Sequence, residues 1–378
     1  MVAVNLSFIG TKPTGLATYA IRLIPELSLP ELDLFASRSF PVQNLSHCTY
    51  HDVPADMTPE QGKAGHWRRL RWTQFQFPRQ VAQVDELRSR SPIKDLPLLF
   101  SPIPEAPLFT PYRFIVVMHD LIPLRFPGRT APLTYYFRYW VPQVLKQATH
   151  ILCNSTATAT DVQQFYGISA KKLTPIPLAY DADHFRVLES DRLSAPEFQP
   201  DRPYFFYIGR HDPYKNLQRV IAAFAALPDR SDCDLWIAGA DDPRYTPLLK
   251  AQAKELGFAD RVKFLDYVSY QALPLLLNRA IGLVYPSLWE GFGLPLLEAM
   301  ACGTPVITSN LSSLPEVAGD AALLVNPYQE AEITQAMQQL LTEEASRSDL
   351  RRAGLHRASQ FSWAKTGKWT TAVLQDYL

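Results

Sequence analysis

The stretch Pro286-Ser-Leu-Trp-Glu-Gly-Phe-Gly-Leu-Pro-Leu-Leu-Glu-Ala-Met-Ala-Cys-Gly-Thr-Pro305 decides the fold of this chain. The apolar run Gly282–Tyr285 comes before it, and a second apolar run, Pro305–Thr308, follows it. Residues 294–302, which lie between the two runs, have the composition of a buried helix. Strand, loop, helix and strand in this order are typical of a parallel α/β sheet whose strands are buried on both faces.

The loop of this stretch has the composition of a binding site. Gly291 and Gly293 leave the backbone accessible just before a helix that Pro295 can start, so free N–H groups can bind a phosphate or sugar hydroxyls. Glu290 and Glu298 add carboxylates, which accept hydrogen bonds from vicinal hydroxyls. Apolar neighbours bury Glu298, and a buried unpaired carboxylate is costly for a residue with only a structural role.

The same alternation continues along the chain in two series. The first contains strands at 2–9, 114–118 and 149–154, with helices at 16–27 and 155–166. The second contains strands at 204–208, 235–238, 262–265, 282–285, 305–308 and 322–325, with helices at 216–227, 246–257, 270–280, 294–302 and 330–342. The polar stretch 181–203 separates the series, which predicts an N-terminal domain over 1–185 and a C-terminal domain over 186–360.

Composition excludes several classes of protein. The 378 residues contain 37 Lys plus Arg and 37 Asp plus Glu, so no global charge attracts nucleic acid. The four cysteines form no Cys-x-x-Cys pair, which argues against a zinc site and fits a reducing compartment. We expect residues 1–10 to form a first strand rather than a signal peptide, and no run approaches the about 20 apolar residues of a membrane helix. We therefore expect a cytoplasmic protein, with peripheral membrane contact left open.

Residues 63–94 form a basic segment with interleaved aromatic residues. Eight Lys or Arg stand against Asp85 and Glu86. The simpler interpretation is an amphipathic segment that packs Trp67 and Leu70 on the first domain and leaves its arginines in solvent. The alternative is a surface for anionic acceptors or membrane headgroups. We expect no nucleic acid partner.

Three further segments lie where strands end, which is where open α/β sheets bind ligands. The loop that ends at Gly15 lacks the Gly-x-Gly-x-x-Gly spacing of a nicotinamide site. His119 directly follows a buried strand. Beyond Gly209, Arg210 and Lys215 place two cations on one short loop, which suits a diphosphate.

These motifs together resemble the family-4 retaining glycosyltransferases. The resemblance rests on Glu290-(seven residues)-Glu298 with Gly-Phe-Gly, on Leu314-Pro-Glu-Val-Ala318, on Gly209-Arg210 with Lys215, and on His119-Asp120-Leu121. It spans nearly the whole chain and is weak between about residues 30 and 110. It implies the GT-B fold, an α/β architecture of two doubly wound Rossmann-like domains that face each other across a cleft. It also implies that the helix within 361–378 crosses back to the N-terminal domain.

The resemblance also implies a role for each site residue. Arg210 and Lys215 would hold and stabilise the diphosphate of a nucleotide sugar, and Glu298 would bind its ribose. Glu290 and His119 would lie at the transferred hexose. The remaining donor-binding positions are Gly15, Gly209, Gly291, Phe292, Gly293 and Leu294.

The predicted reaction is hexose transfer with retention, in which two cations stabilise the departing diphosphate. The acceptor would be a glycan, a lipid-linked sugar or a small sugar, and the motifs look most like mannosyl- or glucosyltransferases of polysaccharide assembly. We expect no cofactor and no metal. Two Asp-x-Asp matches, Asp181-Ala-Asp183 and Asp232-Cys-Asp234, lie outside the predicted site.

Three alternatives stay open. Sucrose-phosphate-synthase-like transfer to a phosphorylated sugar is one, in which the arginines of residues 68–71 hold the phosphate. A non-catalytic protein that binds nucleotide sugars is the second, and a nucleotide-sugar epimerase is the third.

Overall fold

A computed structural model describes residues 1–11, 14–37, 40, 45, 47–88, 96–128, 131–189, 199–228 and 233–378. Within these ranges the chain forms two compact units. The first unit contains residues 1–178 together with 363–378, and the second contains residues 179–362.

The first unit is built on a parallel sheet. Its described strands are β1 (Val2–Asn5), β2 (Leu32–Ala36), β3 (Cys48–Asp52), β4 (Leu98–Ser101), β5 (Phe114–Met118), β6 (His150–Cys153) and β7 (Leu173–Pro175). Their order across the sheet is β3-β2-β1-β4-β5-β6-β7. Its helices are α1 (Gly15–Leu23), α2 (Gly62–Phe75), α3 (Phe77–Arg88), α4 (Ile122–Arg125), α5 (Pro132–Tyr135), α6 (Val141–Gln147), α7 (Thr156–Tyr166) and α15 (Trp363–Gln375).

The second unit repeats this plan. Its described strands are β8 (Tyr204–Ile208), β9 (Asp234–Ala238), β10 (Val262–Phe264), β11 (Gly282–Tyr285), β12 (Val306–Ser309) and β13 (Leu323–Val325), all parallel. The order is β10-β9-β8-β11-β12-β13. Its helices are α8 (Leu217–Ala225), α9 (Thr246–Glu255), α10 (Leu273–Arg279), α11 (Leu294–Ala301), α12 (Leu314–Ala318), α13 (Glu330–Thr342) and α14 (Glu344–Ala358).

In each unit the direction of winding reverses beside the first strand. The reversal lies between β1 and β4 in the first unit and between β8 and β11 in the second. Loops at the carboxyl ends of these strands splay apart at such a point and leave a crevice for a ligand. The predicted α/β architecture of two doubly wound domains is confirmed.

The strands predicted from the sequence are present, and the first is shorter than predicted. β1 ends at Asn5, because the Asn5 side chain accepts the Ser7 amide at 3.2 Å and turns the chain. The sequence did not predict β2, β3, β4 and β7. Three of these four fall between residues 30 and 110, where the motifs are weakest.

The basic segment is folded differently from the expectation. Trp67 does not pack on the domain, since its side chain is 70% exposed. Leu70 is buried as predicted, and Trp72 is buried in place of Trp67. Arg69 is not solvated: it is buried and bonds both oxygens of Glu105, at 2.8 and 2.7 Å. Helix α2 therefore has aromatic residues on its inner and outer faces. Arg90 and Lys94 lie outside the described residues, as does the side chain of Arg88.

The C-terminal helix α15 belongs to the first unit. Thr366 donates to the Pro177 carbonyl at 2.8 Å, and Thr371 accepts the Ser28 amide at 3.1 Å. The two units divide at 178/179, whereas the sequence placed the boundary at 185. Part of the predicted linker, 190–198, lies outside the described residues. Within the described ranges, no helix combines the length and apolar character needed to cross a membrane.

Of the two Asp-x-Asp matches, Asp181-Ala-Asp183 is fully described, and the prediction that it lies outside the site is wrong for Asp181. Asp181 accepts a hydrogen bond from the Tyr270 hydroxyl at 3.3 Å and lies close enough to Glu298 to help raise the pKa of that carboxyl.

The second match can be described in part. Asp232 lies outside the described residues. Asp234 is buried at the start of β9 and is paired with Arg261 at 2.8 Å and with Lys263 at 3.2 Å. Over the described ranges, no group of three or more His, Cys, Asp or Glu side chains is arranged to hold a metal ion.

Candidate active site

The loop after β8 contains a glycine that its geometry requires. Gly209 has φ +154°, a backbone conformation that other residues rarely adopt. It also contacts Gly239, where an added Cβ would lie 2.0 Å from the Gly209 carbonyl oxygen. Arg210 follows with a side chain that is 73% exposed. It forms an ion pair with Asp212 at 3.1 Å and donates to the Tyr214 hydroxyl at 2.9 Å.

Lys215 and Glu290 are paired with each other. The Lys215 Nζ lies 2.6 Å from Glu290 Oε1 and 2.9 Å from the Tyr285 hydroxyl, and both charged side chains are buried. Burial opposes the charge of Lys215, but the Glu290 carboxylate outweighs it and raises the pKa of the amine. The sequence analysis predicted that Lys215 binds the diphosphate and that Glu290 lies at the transferred hexose. The structure also makes them partners.

Three hydrogen bonds hold the loop after β8 to the loops after β11 and β13. Asn216, in the left-handed conformation at φ 65°, donates to the carbonyls of Pro286 at 3.0 Å and Pro327 at 2.7 Å. The Leu288 amide donates to the Tyr214 carbonyl at 2.8 Å. These bonds bring the two cations and the glycine-rich loop to the same crevice of the second unit.

Serines before α12 fix the glycine-rich loop. Ser313 donates to the carbonyls of Glu290 at 3.0 Å and Phe292 at 2.8 Å, and the Ser312 hydroxyl accepts the Glu290 amide at 3.0 Å. Gly293 has φ +109°, and an added Cβ there would lie 2.7 Å from Leu314 Cδ2. Helix α11 starts directly after it, at Leu294, with Pro295 in its first turn.

Glu298 is a half-buried carboxyl group on α11. Among the described residues it has no hydrogen-bond or ion-pair partner. Burial, with a smaller contribution from Asp181, raises the pKa of Glu298 from 4.5 to about 7. A carboxyl group without a protein partner is available to a ligand that donates hydrogen bonds.

The first unit contains the other two predicted positions, His119 and Gly15. His119 Nε2 donates to the Pro102 carbonyl at 2.8 Å, and the imidazole ring lies edge-on to Tyr19 with centroids 4.8 Å apart. Burial lowers the pKa of His119 to about 4, so the ring is neutral at neutral pH with Nδ1 as an acceptor. Gly15 begins α1, and a side chain there would meet no atom within 4 Å. Lys12 and Pro13 of the same loop lie outside the described residues.

Sequence reasoning missed the residues that hold the site together: Tyr285, Asn216, Ser312 and Ser313. Asn216 and Tyr285 belong to segments that were singled out, but single-sequence patterns do not show which loops meet. The serines stand in an ordinary polar turn, where nothing in the sequence marks them.

Models of two families match the chain in sequence. Glycosyltransferase Family 4 matches residues 15–184, and Glycosyl transferases group 1 matches residues 191–357. The chain belongs to the group 1 glycosyltransferases of the GT-B fold.

Individual relatives cover nearly the whole of this glycosyltransferase. It is 29% identical to O-antigen chain mannosyltransferase B of Escherichia coli, with 96% of each chain covered. It is 26% identical to O-antigen chain mannosyltransferase RfbU of Salmonella typhimurium, over 86% of this chain and 87% of the relative. Among solved structures, Anabaena Alr3699/HepE in complex with UDP and glucose has a TM-score of 0.73 at 19% identity, with both chains fully covered.

Proposed function

We propose that this glycosyltransferase moves a hexose, with retention of the anomeric configuration, from a nucleoside-diphosphate sugar to a hydroxyl of a glycan. The observation that carries the proposal is the composition of one crevice. Two cations, a glycine-rich loop bonded by Ser312 and Ser313, and the carboxyl of Glu298, which has no partner among the described residues, all belong to the loops and helix that follow β8 and β11. A nucleotide sugar has complementary groups: a diphosphate for the two cations, and ribose and hexose hydroxyls for the carboxylates and the loop.

Each donor contact follows from charge and hydrogen-bonding capacity. Arg210 is exposed and can close on the diphosphate with two parallel bonds. Lys215 already holds a carboxylate, and a diphosphate with more charge can replace Glu290 on the amine. Glu290 is then free to accept from hydroxyls of the hexose, and Glu298 accepts from the ribose.

The reaction develops negative charge on the departing diphosphate and positive charge on the sugar ring. Preplaced cations stabilise the first, and this electrostatic effect is expected to supply most of the catalysis. The departing phosphate takes the proton of the acceptor hydroxyl on the same face of the sugar. His119 is neutral and would meet the hexose as a hydrogen-bonding group. We propose that no metal or cofactor takes part.

The sugar and the acceptor follow from the relatives. Both relatives named above are O-antigen chain mannosyltransferases. We therefore propose mannose as the hexose and a polysaccharide chain under assembly as the acceptor.

The sucrose-phosphate-type alternative is weaker than the sequence suggested. Arg69, one of the arginines that would hold the acceptor phosphate, is buried and bonded to both oxygens of Glu105. The exposed Arg68 and Arg71 would remain for a phosphate.

The experiment incubates the purified protein with GDP-, UDP- or ADP-linked mannose or glucose and with octyl α-mannoside, and follows the anomeric proton by NMR. We expect one donor to give a new α-glycoside and a free nucleoside diphosphate, with or without EDTA. A β-glycoside would contradict retention, and activity lost in EDTA would contradict the metal-free mechanism. Isomerised donor would indicate an epimerase, and binding without turnover would indicate a non-catalytic protein.

A further inference from the structure

Helix α2 has an outward face on which cations and aromatic rings alternate. Lys63, Trp67, Arg71 and Phe75 are all exposed and follow one another at intervals of four residues. Side chains at this interval lie on the same side of a helix, so the four form one stripe about 18 Å long. We call this stripe the Trp67 face.

The aromatic rings of the Trp67 face are exposed to solvent, although other apolar side chains of the same helix are buried in the core. Trp67 is 70% and Phe75 is 57% exposed, whereas Leu70 and Trp72 of the same helix are buried. Phe109 is 87% exposed and lies on a loop that is hydrogen-bonded to the C-terminal end of α2, where Phe75 also lies. The Gln74 side chain bonds this loop twice, at the Ala106 carbonyl and the Leu108 amide, each at 2.8 Å.

The charge on this face is positive and is not neutralised locally. Helix α2 contains no Asp or Glu. Among the described acidic groups next to this helix, Asp56 is paired with Arg68, Glu105 is paired with Arg69, and Glu60 accepts from the Thr11 hydroxyl at 3.0 Å. Within the described parts of the chain, Lys63 and Arg71 form neither a hydrogen bond nor an ion pair.

We infer that the Trp67 face binds the surface of an anionic lipid bilayer. Trp and Phe insert at the level of the headgroups, and Lys and Arg reach the phosphates. Each cation near an anionic leaflet strengthens binding about fivefold. A convex helix face with rings and cations in alternation fits a planar surface, whereas a single anionic acceptor would need a concave pocket. This inference does not depend on the proposed donor or acceptor.

The test is flotation of the full-length protein with vesicles of phosphatidylcholine alone and of phosphatidylcholine mixed with phosphatidylglycerol. We expect the wild type to float with the mixed vesicles and much less with the neutral ones. Lys63→Glu with Arg71→Glu should reduce binding to mixed vesicles by at least 25-fold, which is about fivefold for each lost cation. Trp67→Ser with Phe75→Ser should also abolish stable flotation.

Matched controls separate this face from the rest of the surface. Lys254→Glu with Lys368→Glu makes the same change in net charge at exposed sites on α9 and α15. Tyr267→Ser removes a ring that is 77% exposed in the second unit. We expect both controls to float like the wild type, with thermal unfolding confirming that every variant is folded. The inference is overturned if the wild type fails to float with the mixed vesicles, or if a Trp67-face variant floats as well as its control.

Discussion

Two charged side chains of the second unit are held in surroundings that oppose their charge. Lys215 is buried and keeps its proton because Glu290 lies 2.6 Å away. Glu298 has no partner among the described residues, and burial favours its protonated form. The sequence predicted that Glu298 would be buried, because its helical neighbours are apolar. It did not predict the Lys215–Glu290 pair, because 75 residues separate the two and only the folded sheet brings their loops together.

Glu298→Gln should stabilise the free protein at alkaline pH. The folded state raises the pKa of Glu298 from 4.5 to about 7, so it holds a proton there that the unfolded chain releases. The contribution of Glu298 to the free energy of unfolding is therefore largest below pH 4.5 and is lost as the pH rises through about 7. Thermal unfolding at pH 8 should show the variant to be more stable by roughly 1–3 kcal/mol, with little difference near pH 4.5.

The same variant should bind the donor about tenfold to a hundredfold more weakly, since charged hydrogen bonds contribute about 1.5–3 kcal/mol. The wild type should bind more tightly as the pH rises through about 7. Glu255→Gln, at an exposed position of α9, is the control and should change neither property. Equal donor affinity of Glu298→Gln and the wild type would contradict the assigned role.

Arg210→Ala and Lys215→Met should separate catalysis from stability. Arg210 is 73% exposed, so its loss should leave the melting temperature nearly unchanged and lower kcat about 10²- to 10³-fold. Lys215→Met should cost about 3–5 kcal/mol of stability, because the Glu290 carboxylate is left buried and unpaired. Calorimetry and initial rates measure the two effects. Arg352→Ala, at an exposed site of α14, should behave as the wild type; full activity of Arg210→Ala would exclude a catalytic role.

At the scale of the element, the proposed donor site is a set of loops whose shape depends on glycines and serines. The sequence predicted the strand–loop–helix order and the glycines at the end of β11. It did not predict that Ser313 bonds two carbonyls of that loop. It also missed β2, where Asp33 interrupts the apolar run. Asp33 is fully buried and is bonded by His51 of β3 at 2.7 Å, a pairing that appears only when the two strands are adjacent.

Gly293→Ala should damage both the loop and the donor site. The new Cβ would meet Leu314 at 2.7 Å in a backbone conformation that alanine rarely adopts. We expect a loss of roughly 1–3 kcal/mol and a higher KM for the donor. Gly257→Ala is the matched control, because Gly257 has φ +78° and open space around it. Gly257→Ala should lower the melting temperature because of backbone strain and should leave the KM for the donor unchanged. An equal KM in Gly257→Ala and Gly293→Ala would argue that the shape of the glycine-rich loop does not matter for donor binding.

At the scale of the whole molecule, both units use one winding order around their first strand. The alternation of strands and helices predicted this class of fold, because right-handed crossovers leave few arrangements of a parallel sheet. The sequence also predicted the helix that closes the chain. This helix packs closely against the first unit at Gly367, where an added Cβ would lie 2.5 Å from the Glu26 carbonyl oxygen.

Gly367→Ala should therefore destabilise the protein, although alanine in a helix normally stabilises it by up to about 1 kcal/mol. We expect a lower melting temperature and an unchanged dissociation constant for the donor nucleotide, since Gly367 belongs to the first unit and the donor residues of α11 to the second. A higher melting temperature would contradict the packing of α15 against Glu26.

The most direct measurement is thermal unfolding of the wild type and of Glu298→Gln against a panel of nucleoside diphosphates and their sugars. A ligand that binds only the folded state raises the melting temperature by mass action. One base should give a clear rise in the wild type and a much smaller rise in Glu298→Gln. No rise with any nucleotide, or an equal rise in both proteins, would contradict a nucleotide-sugar site at the β8–β11 crevice.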